Sequence, residues 1–265
     1  MLTPINKLKG INCVTRLINL CLVCFIVFLY PSNSLAELAP EDLNYMTENI
    51  SPFNYKEDGK ITGFSVELLK LVWQEMGVTP QEIRMLPWAR AYLKLKSDRH
   101  GMLFTTGRAD YREHLFKWVC PITRGSKQVL FAKKNRNIKI ASLDDSKKYV
   151  IGTVIDDSAE QTLLKNGYKI SELKRVSSIT QNVHKLKLNR IDLIAQDDST
   201  IINAMIDNNI DPKKYETVYI IKKIESCFAF NKSVPNKLIN RFQSALDNVR
   251  ETEEYRGIRK KYGFK

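Results

Sequence analysis

Histidine and cysteine are both scarce in this chain, and neither is spaced for chemistry. The three histidines, His100, His114 and His184, form no pair at metal-ligand spacing. Five cysteines make no disulfide framework, and three of them, Cys13, Cys21 and Cys24, fall within the first 36 residues. The Gly-x-Ser-x-Gly elbow, the Walker loop and the Gly-rich dinucleotide fingerprint are missing, and Cys120 has no candidate base beside it in sequence. The reading is therefore a protein that is not an enzyme and needs no cofactor or metal. Acidic residues are the minority, 29 against 42 Lys and Arg for a net charge of +13. The basic residues are spread along the chain rather than clustered, so they point only weakly to an acidic partner, and no nucleic-acid module is expected.

Long apolar runs are also rare, and the longest has a clear purpose. Lys7, Lys9 and Arg16 precede an uncharged run from Leu17 to Tyr30, followed by Pro31 and the small-residue pattern Ser34-Leu35-Ala36. This reads as a secretory signal over residues 1–36, cleaved after Ala36. The run falls short of the ~20 residues needed to span a bilayer, and Cys21 and Cys24 lack the small residues that a lipoprotein signal places before its cysteine. The mature chain is expected to be soluble and exported. It retains Cys120 and Cys227, which an oxidising compartment would allow to pair; their positions leave the question open.

In the remaining residues, hydrophobic periodicity alternates between strand and helix. Expected strands are Leu43–Thr47, Ile83–Leu86 and Met102–Phe104, with helices from Ser65 to Met76 and from Trp88 to about Lys96. Val66, Leu69, Val72, Trp73 and Met76 recur at helical spacing, and Gly77 is placed to stop that helix. The order then repeats: strand 149–154, helix Ser158–Lys165, strand 169–176, helix Ile179–Leu188 and strand 191–195. Two extended segments, 128–133 and 225–232, suit a double crossover between lobes. A stripe of Leu238, Ile239, Phe242, Ala245, Leu246 and Val249 predicts a helix, and a second short one covers 255–263. Such alternation implies an α/β protein of two lobes, whose ligand sites lie outside the carboxyl ends of parallel strands. The expected division is 37–127 with 226–265 for lobe 1, and 128–225, hinge segments included, for lobe 2.

The stretch from Gly101 to Ile122 carries the chemistry. An apolar strand leads into Thr105, Thr106 and Gly107, then Arg108 and Arg112, and ends on an aromatic β-prone run before Pro121. Guanidinium forks, hydroxyls and backbone N–H groups can converge there on an anionic group. Two further clusters look like site material. Ser158, with Gln161 three residues on, has capping-box spacing, and its helix start could face an anion. Asp197 ends a strand, where a carboxylate suits an ammonium or caps the following helix.

This arrangement resembles family 3 of the solute-binding proteins of ABC transporters, the polar amino acid binders. The Thr-bearing turn, the arginine, the tail from Phe116 to Ile122, the Ser51-Pro52-Phe53 opening with Gly59 and Gly63-Phe64, and the closing run from Tyr255 to Gly263 carry the resemblance. It extends from about Met46 to Gly263. It implies the two-lobed periplasmic binding protein fold of type II, and a ligand site of Arg112, Thr105, Arg108, Trp88, Ser158 and Asp197. Arg112 would grip a carboxylate, with Thr105 as a hydroxyl partner, and Asp197 would accept from an α-amino group. Ile50 replaces the aromatic that members often stack on the ligand, which argues against a cationic or aromatic ligand side chain. Gly107 replaces a usual Ser or Thr, and Asp157 replaces a glycine. The implied protein is a periplasmic monomer that captures a small polar molecule, an amino acid or related carboxylate, for a membrane permease. An exported dehydratase-like enzyme and a stand-alone sensor are the alternatives; with no output segment after Lys265, a sensor within this chain is not expected.

Overall fold

Two strands much longer than the rest determine the architecture. The computed structural model describes residues 38–264, so the signal segment lies outside the described residues. The chain forms β1 (Asn44–Thr47), a hairpin of β2 (Tyr55–Glu57) and β3 (Lys60–Thr62), α1 (Phe64–Glu75), β4 (Ile83–Met85), α2 (Trp88–Ser97) and β5 (Gly101–Arg108). The first long strand, β6, runs from Phe116 to Lys133. After it come β7 (Ile151–Val154), α3 (Ser158–Lys165), β8 (Leu173–Val176), α4 (Ile179–Lys187), β9 (Leu193–Asp197) and α5 (Asp198–Asp207). The second long strand, β10 (Tyr215–Asn231), returns to the first half, and α6 (Asn236–Val249) and α7 (Glu253–Lys261) complete the chain.

Hydrogen bonding orders the strands β4-β1-β5-β10-β6-β9-β7-β8. β4, β1 and β5 are parallel, as are β9, β7 and β8. β6 and β10 are antiparallel to each other and to their outer neighbours. The two parallel sets hang on opposite ends of this shared ribbon: β5 pairs with the end of β10 near Cys227, and β9 pairs with β6 at Gln128 to Ala132. Register breaks recur along the ribbon between Thr217 and Phe228, where extra residues increase local twist and bend the strand. The result is the α/β two-lobed fold expected from the sequence.

Strand periodicity distributes the cores. Tyr45, Met102 and Phe104 face α1 and α6, while Met46 and Leu103 face α2. In the other half Val129 and Phe131 face α4 and α5, while Leu130 and Ala132 face α3. Each half is therefore a sheet covered on both faces, which is what parallel strands require. α6 buries the predicted stripe of Leu238, Ile239, Phe242, Ala245, Leu246 and Val249, and Gly77 ends α1's turn with a φ of 70° that a side chain would resist.

Several expected boundaries shift. β5 continues past Phe104 to Arg108, with Thr105 at a φ of 61° inside it. The crossover segments are parts of β6 and β10, and the first half of β10, which carries the β-prone run Val218 to Ile221, is half-exposed and lacks a strict apolar alternation. Residues 170–172 form a 3-10 turn, so β8 begins at Leu173 rather than 169.

The cysteines left open by sequence form a disulfide. Cys120 of β6 and Cys227 of β10 are brought to a Cα–Cα distance of 4.7 Å and close a loop over a sequence separation of 107. A loop of that size restricts the unfolded chain by about 4–5 kcal/mol on a chain-entropy argument. Reducing the bond, with free thiols verified by mass spectrometry, should lower the calorimetric melting midpoint by roughly 8–20 °C at about 2–4 °C per kcal/mol. An unchanged midpoint would mean that the bond does not contribute to stability.

Candidate functional site

The site begins where β5 ends. Beyond Arg108 the chain makes a 3-10 turn, Asp110–Leu115, that folds Arg112 inward until it is 1% exposed. Its guanidinium carbon lies 5.3 Å from the ring centre of Trp88, 5.2 Å from that of Tyr111 and 5.9 Å from that of Tyr92. These rings attract the cation and exclude water, but they accept no strong hydrogen bond. Nε and Nη1 of Arg112 are buried with no hydrogen-bond partner. A buried guanidinium without an acceptor is costly unless an anion joins it.

The neighbouring positions keep that face open. A Cβ at Gly107 would lie 2.8 Å from Cδ1 of Ile224, 3.3 Å from Nη2 of Arg112 and 3.5 Å from the Ser158 hydroxyl. Glycine in place of the usual hydroxyl residue thus leaves the space between the lobes free. Thr105, held in its left-handed turn, donates from Oγ1 to Oδ1 of buried Asn54 at 2.5 Å, and Asn54 donates to the Glu48 carbonyl. Trp88 is 3% exposed, and its indole N–H crosses to the Asp156 carbonyl in the other lobe at 2.8 Å.

From the far side the carboxyl ends of β7 and β9 supply the opposing groups. Asp157, not Ser158, caps α3: its Oδ1 accepts from the Ala159 N–H at 2.9 Å. The expected Ser158–Gln161 capping box is therefore replaced, because a carboxylate accepts the early helix N–H groups and complements their partial positive charge better than a hydroxyl does. Ser158 becomes the first helical residue and lines the cleft. Asp197 caps α5, accepting from the Ser199 hydroxyl at 2.6 Å and the Thr200 N–H at 3.4 Å, and it lines the cleft as well. The two roles that sequence treated as alternatives belong to one carboxylate.

Two joined cavities occupy the cleft. A small one of about 50 Å³ touches Arg112, Thr105, Gly107, Asp157, Ser158 and Asp197. A larger one of about 310 Å³ extends past Met85, Leu86, Val154 and Ile179, and the two share Glu48, Ile50, Trp88, Gln196 and Thr200. Of the six residues expected in the site, Arg112, Thr105, Trp88, Ser158 and Asp197 meet there. Arg108 does not. It pairs with Glu113 through a two-pronged contact, Nε at 2.7 Å, and is about 42% exposed on its side chain. Local pairing five residues away satisfies it outside the cleft.

Glu48 is the residue that sequence reasoning missed. Desolvation in the cleft, then the charge of Asp157, hold its carboxyl well above the usual carboxylate range, with Arg112 pulling the other way. Burial likewise pushes Asp157 up, opposed by its backbone hydrogen bonds, Arg112 and Gln196. Glu48 is the first residue after a parallel strand, as Asp197 is the last of one; that position was the available signal.

A cleft between two α/β lobes, with a buried cation on one wall and carboxylates on the other, defines a binder of small charged solutes. Residues 44–265 match the bacterial extracellular solute-binding proteins, family 3, and the chain belongs to that family. A probable histidine-binding protein of Campylobacter jejuni is 24% identical over 224 residues, 81% of each chain. The arginine-binding extracellular protein ArtP of Bacillus subtilis is 24% identical over 254 residues, covering 93% of this chain and 95% of its own. Among solved structures, a histidine kinase sensor domain similar to periplasmic binding proteins superposes with a TM-score of 0.73 at 20% identity, over 83% of this chain and 95% of that one. An ancestral arginine-binding protein bound to arginine gives 0.70 at 22% identity, over 83% and 97%.

The raised carboxyls make a stability prediction whose sign follows from their direction. A carboxyl that holds its proton more tightly when folded contributes stability below the unfolded value, and this is lost as pH rises through the folded one. Glu48→Gln should therefore raise the melting point of the unliganded protein near neutral pH and flatten its decline from acid to neutral. Parallel melting curves for wild type and variant across that range would place the pH dependence elsewhere.

Proposed function

We propose that this protein captures a small amino acid outside the cytoplasm, one whose side chain bears a positive group, and presents it to an ABC-type membrane permease. The observation that carries the reading is the buried Arg112 guanidinium, with two nitrogens lacking any protein acceptor, on a residue that lines the cleft. A ligand carboxylate supplies the planar acceptor that this fork fits. Across the cleft stand Asp157 and Asp197, and Glu48, just past the end of β1, lines the same cavity. A zwitterionic backbone engages Arg112 and one carboxylate, and Glu48, the acid that lines the larger cavity as well, is placed to take up a further cation, which would draw its raised carboxyl back toward the charged form. Trp88 supplies an aromatic wall where Ile50 does not, so the positive arm is read from Glu48 rather than from stacking at Ile50. Relatives described as binding histidine and arginine support the same class.

Calorimetry on the mature chain tests the anchor. Arg112→Ala should weaken binding of L-arginine or L-histidine by about 2–5 kcal/mol, roughly thirty- to several-thousand-fold, and Arg112→Lys should recover only part of it. Arg108→Ala, outside the cleft, should change affinity by well under ~1 kcal/mol. Unchanged affinity in a folded Arg112→Ala protein would sink the reading.

A thermal-shift screen of all standard amino acids tests the ligand class. Cationic members should give the largest stabilisation, and Glu48→Gln should narrow their lead over neutral ones. If small dicarboxylates or neutral amino acids lead instead, the assignment of a positive side chain is wrong.

A further inference from the structure

Behind the second-lobe wall of the cleft lies a charged cluster that none of these binding roles uses. Glu160, in the first turn of α3, is wholly buried and lines neither cavity. Its two oxygens accept four hydrogen bonds: from Nε and Nη2 of Arg175 at 2.7 and 2.9 Å, from the Thr153 hydroxyl at 2.9 Å and from the Asp156 N–H at 2.8 Å. Arg175, on β8 and 27% exposed on its side chain, also lies 3.7 Å from Oδ1 of Asp156. The fork-on-carboxylate geometry holds both partners in one orientation.

The residue this cluster holds is unusual. Asp156 has a φ of 59°, a left-handed conformation that residues with a side chain adopt mainly where their surroundings hold them there. In it the N–H of Asp156 points into the cluster, while its carbonyl points out to receive the indole N–H of Trp88 from the first lobe. The next residue, Asp157, faces the cleft with the carboxylate that opposes Arg112. Both features on the cleft side of this turn therefore depend on a backbone conformation held from behind.

We infer that Arg175 and Glu160 are positioning residues for capture: they hold Asp156 so that its carbonyl latches Trp88 across the closed cleft, and the lifetime of the bound complex depends on them although neither touches ligand. This inference rests on the reading of the cleft as a capture site that closes. A hydrogen bond between lobes exists only when they meet, so it favours the closed form selectively. Its loss is expressed in dissociation, since association begins from the open form. An ion pair serving only the stability of its own lobe would change melting but not the rate of release.

Stopped-flow kinetics with L-arginine on the full mature chain separates these cases. Arg175→Lys, which keeps the charge but loses the fork, should speed dissociation about tenfold, the loss of one buried hydrogen bond, with the association rate within about twofold. Trp88→Phe, which keeps a ring and loses the N–H, should do the same, and the double variant should lose about as much as either single one, because both remove one latch. Glu160→Gln replaces Arg175→Lys should the latter fail to fold. A second readout needs no ligand: the exchange rate of the Trp88 indole proton by nuclear magnetic resonance, which should rise in Arg175→Lys. If wild type does not bind L-arginine, the proposed ligand class fails and indole exchange alone decides the latch. Unchanged release together with unchanged exchange, or losses that multiply in the double variant, would overturn it.

Discussion

A guanidinium buried with two nitrogens that have no hydrogen-bond partner among the described residues is the constraint on which the rest of this structure turns. Arg112 is wrapped by Trp88, Tyr92 and Tyr111, which stabilise its charge through their faces but leave Nε and Nη1 without hydrogen-bond partners. Such a group is costly to bury alone, so the surrounding residues are arranged for an incoming anion rather than for self-sufficiency. Gly107 keeps the approach clear. The carboxylates that could have neutralised Arg112 stand across the cleft, with Asp157 and Asp197 bonded to helix N–H groups. The proposed ligand, a small zwitterion between the two walls, would answer both demands.

The way the two walls are joined determines how they can move. Both parallel sets share the ribbon of β6 and β10, and the register breaks along β10 fall within the portion that pairs with β6 opposite β9 and again at the start of the portion that pairs with β5. Bends in such a ribbon change the angle between halves without disturbing either covered sheet, consistent with the hinge closure known for two-lobed binders. The disulfide joins β6 to β10 on the first-lobe side of this region, close to the β5 pairing. Closure then adds contacts that belong to neither half alone, among them the Trp88 indole on the Asp156 carbonyl.

Much of the fold was legible before any coordinates. The helical stripes of α1 and α6, the strand ends preceding the cleft-lining residues, and Gly77 as a helix stop all follow from local periodicity and from the steric freedom of glycine. Arg112, Thr105, Trp88, Ser158 and Asp197 were legible as cleft-lining residues because they sit at or just beyond strand ends or at helix starts, the places where an α/β protein presents polar groups. Where sequence misled, the competing partner was a close neighbour: Glu113 takes Arg108 out to the surface, and Asp157 takes the cap from Ser158. The first half of β10 escaped notice although Val218 to Ile221 is β-prone, because its half-exposed residues do not alternate strictly and its pairing with β6 is long-range.

The amino-acid sequence by itself determined the elements, their order and the candidate anion grip, since each depends on residues within one or two turns or strands of chain. The tertiary structure alone decided which charges face one another. Its place after β1 is the one local mark that Glu48 carries; its raised carboxyl depends on desolvation in the cleft and then on Asp157, more than a hundred residues away in sequence. The pairing of Cys120 with Cys227, the exclusion of Arg108 and the support of Asp156 by Glu160 and Arg175 are likewise matters of three-dimensional approach. Desolvation and Coulomb interactions act through space, so they become readable only when the chain has brought distant residues to one place.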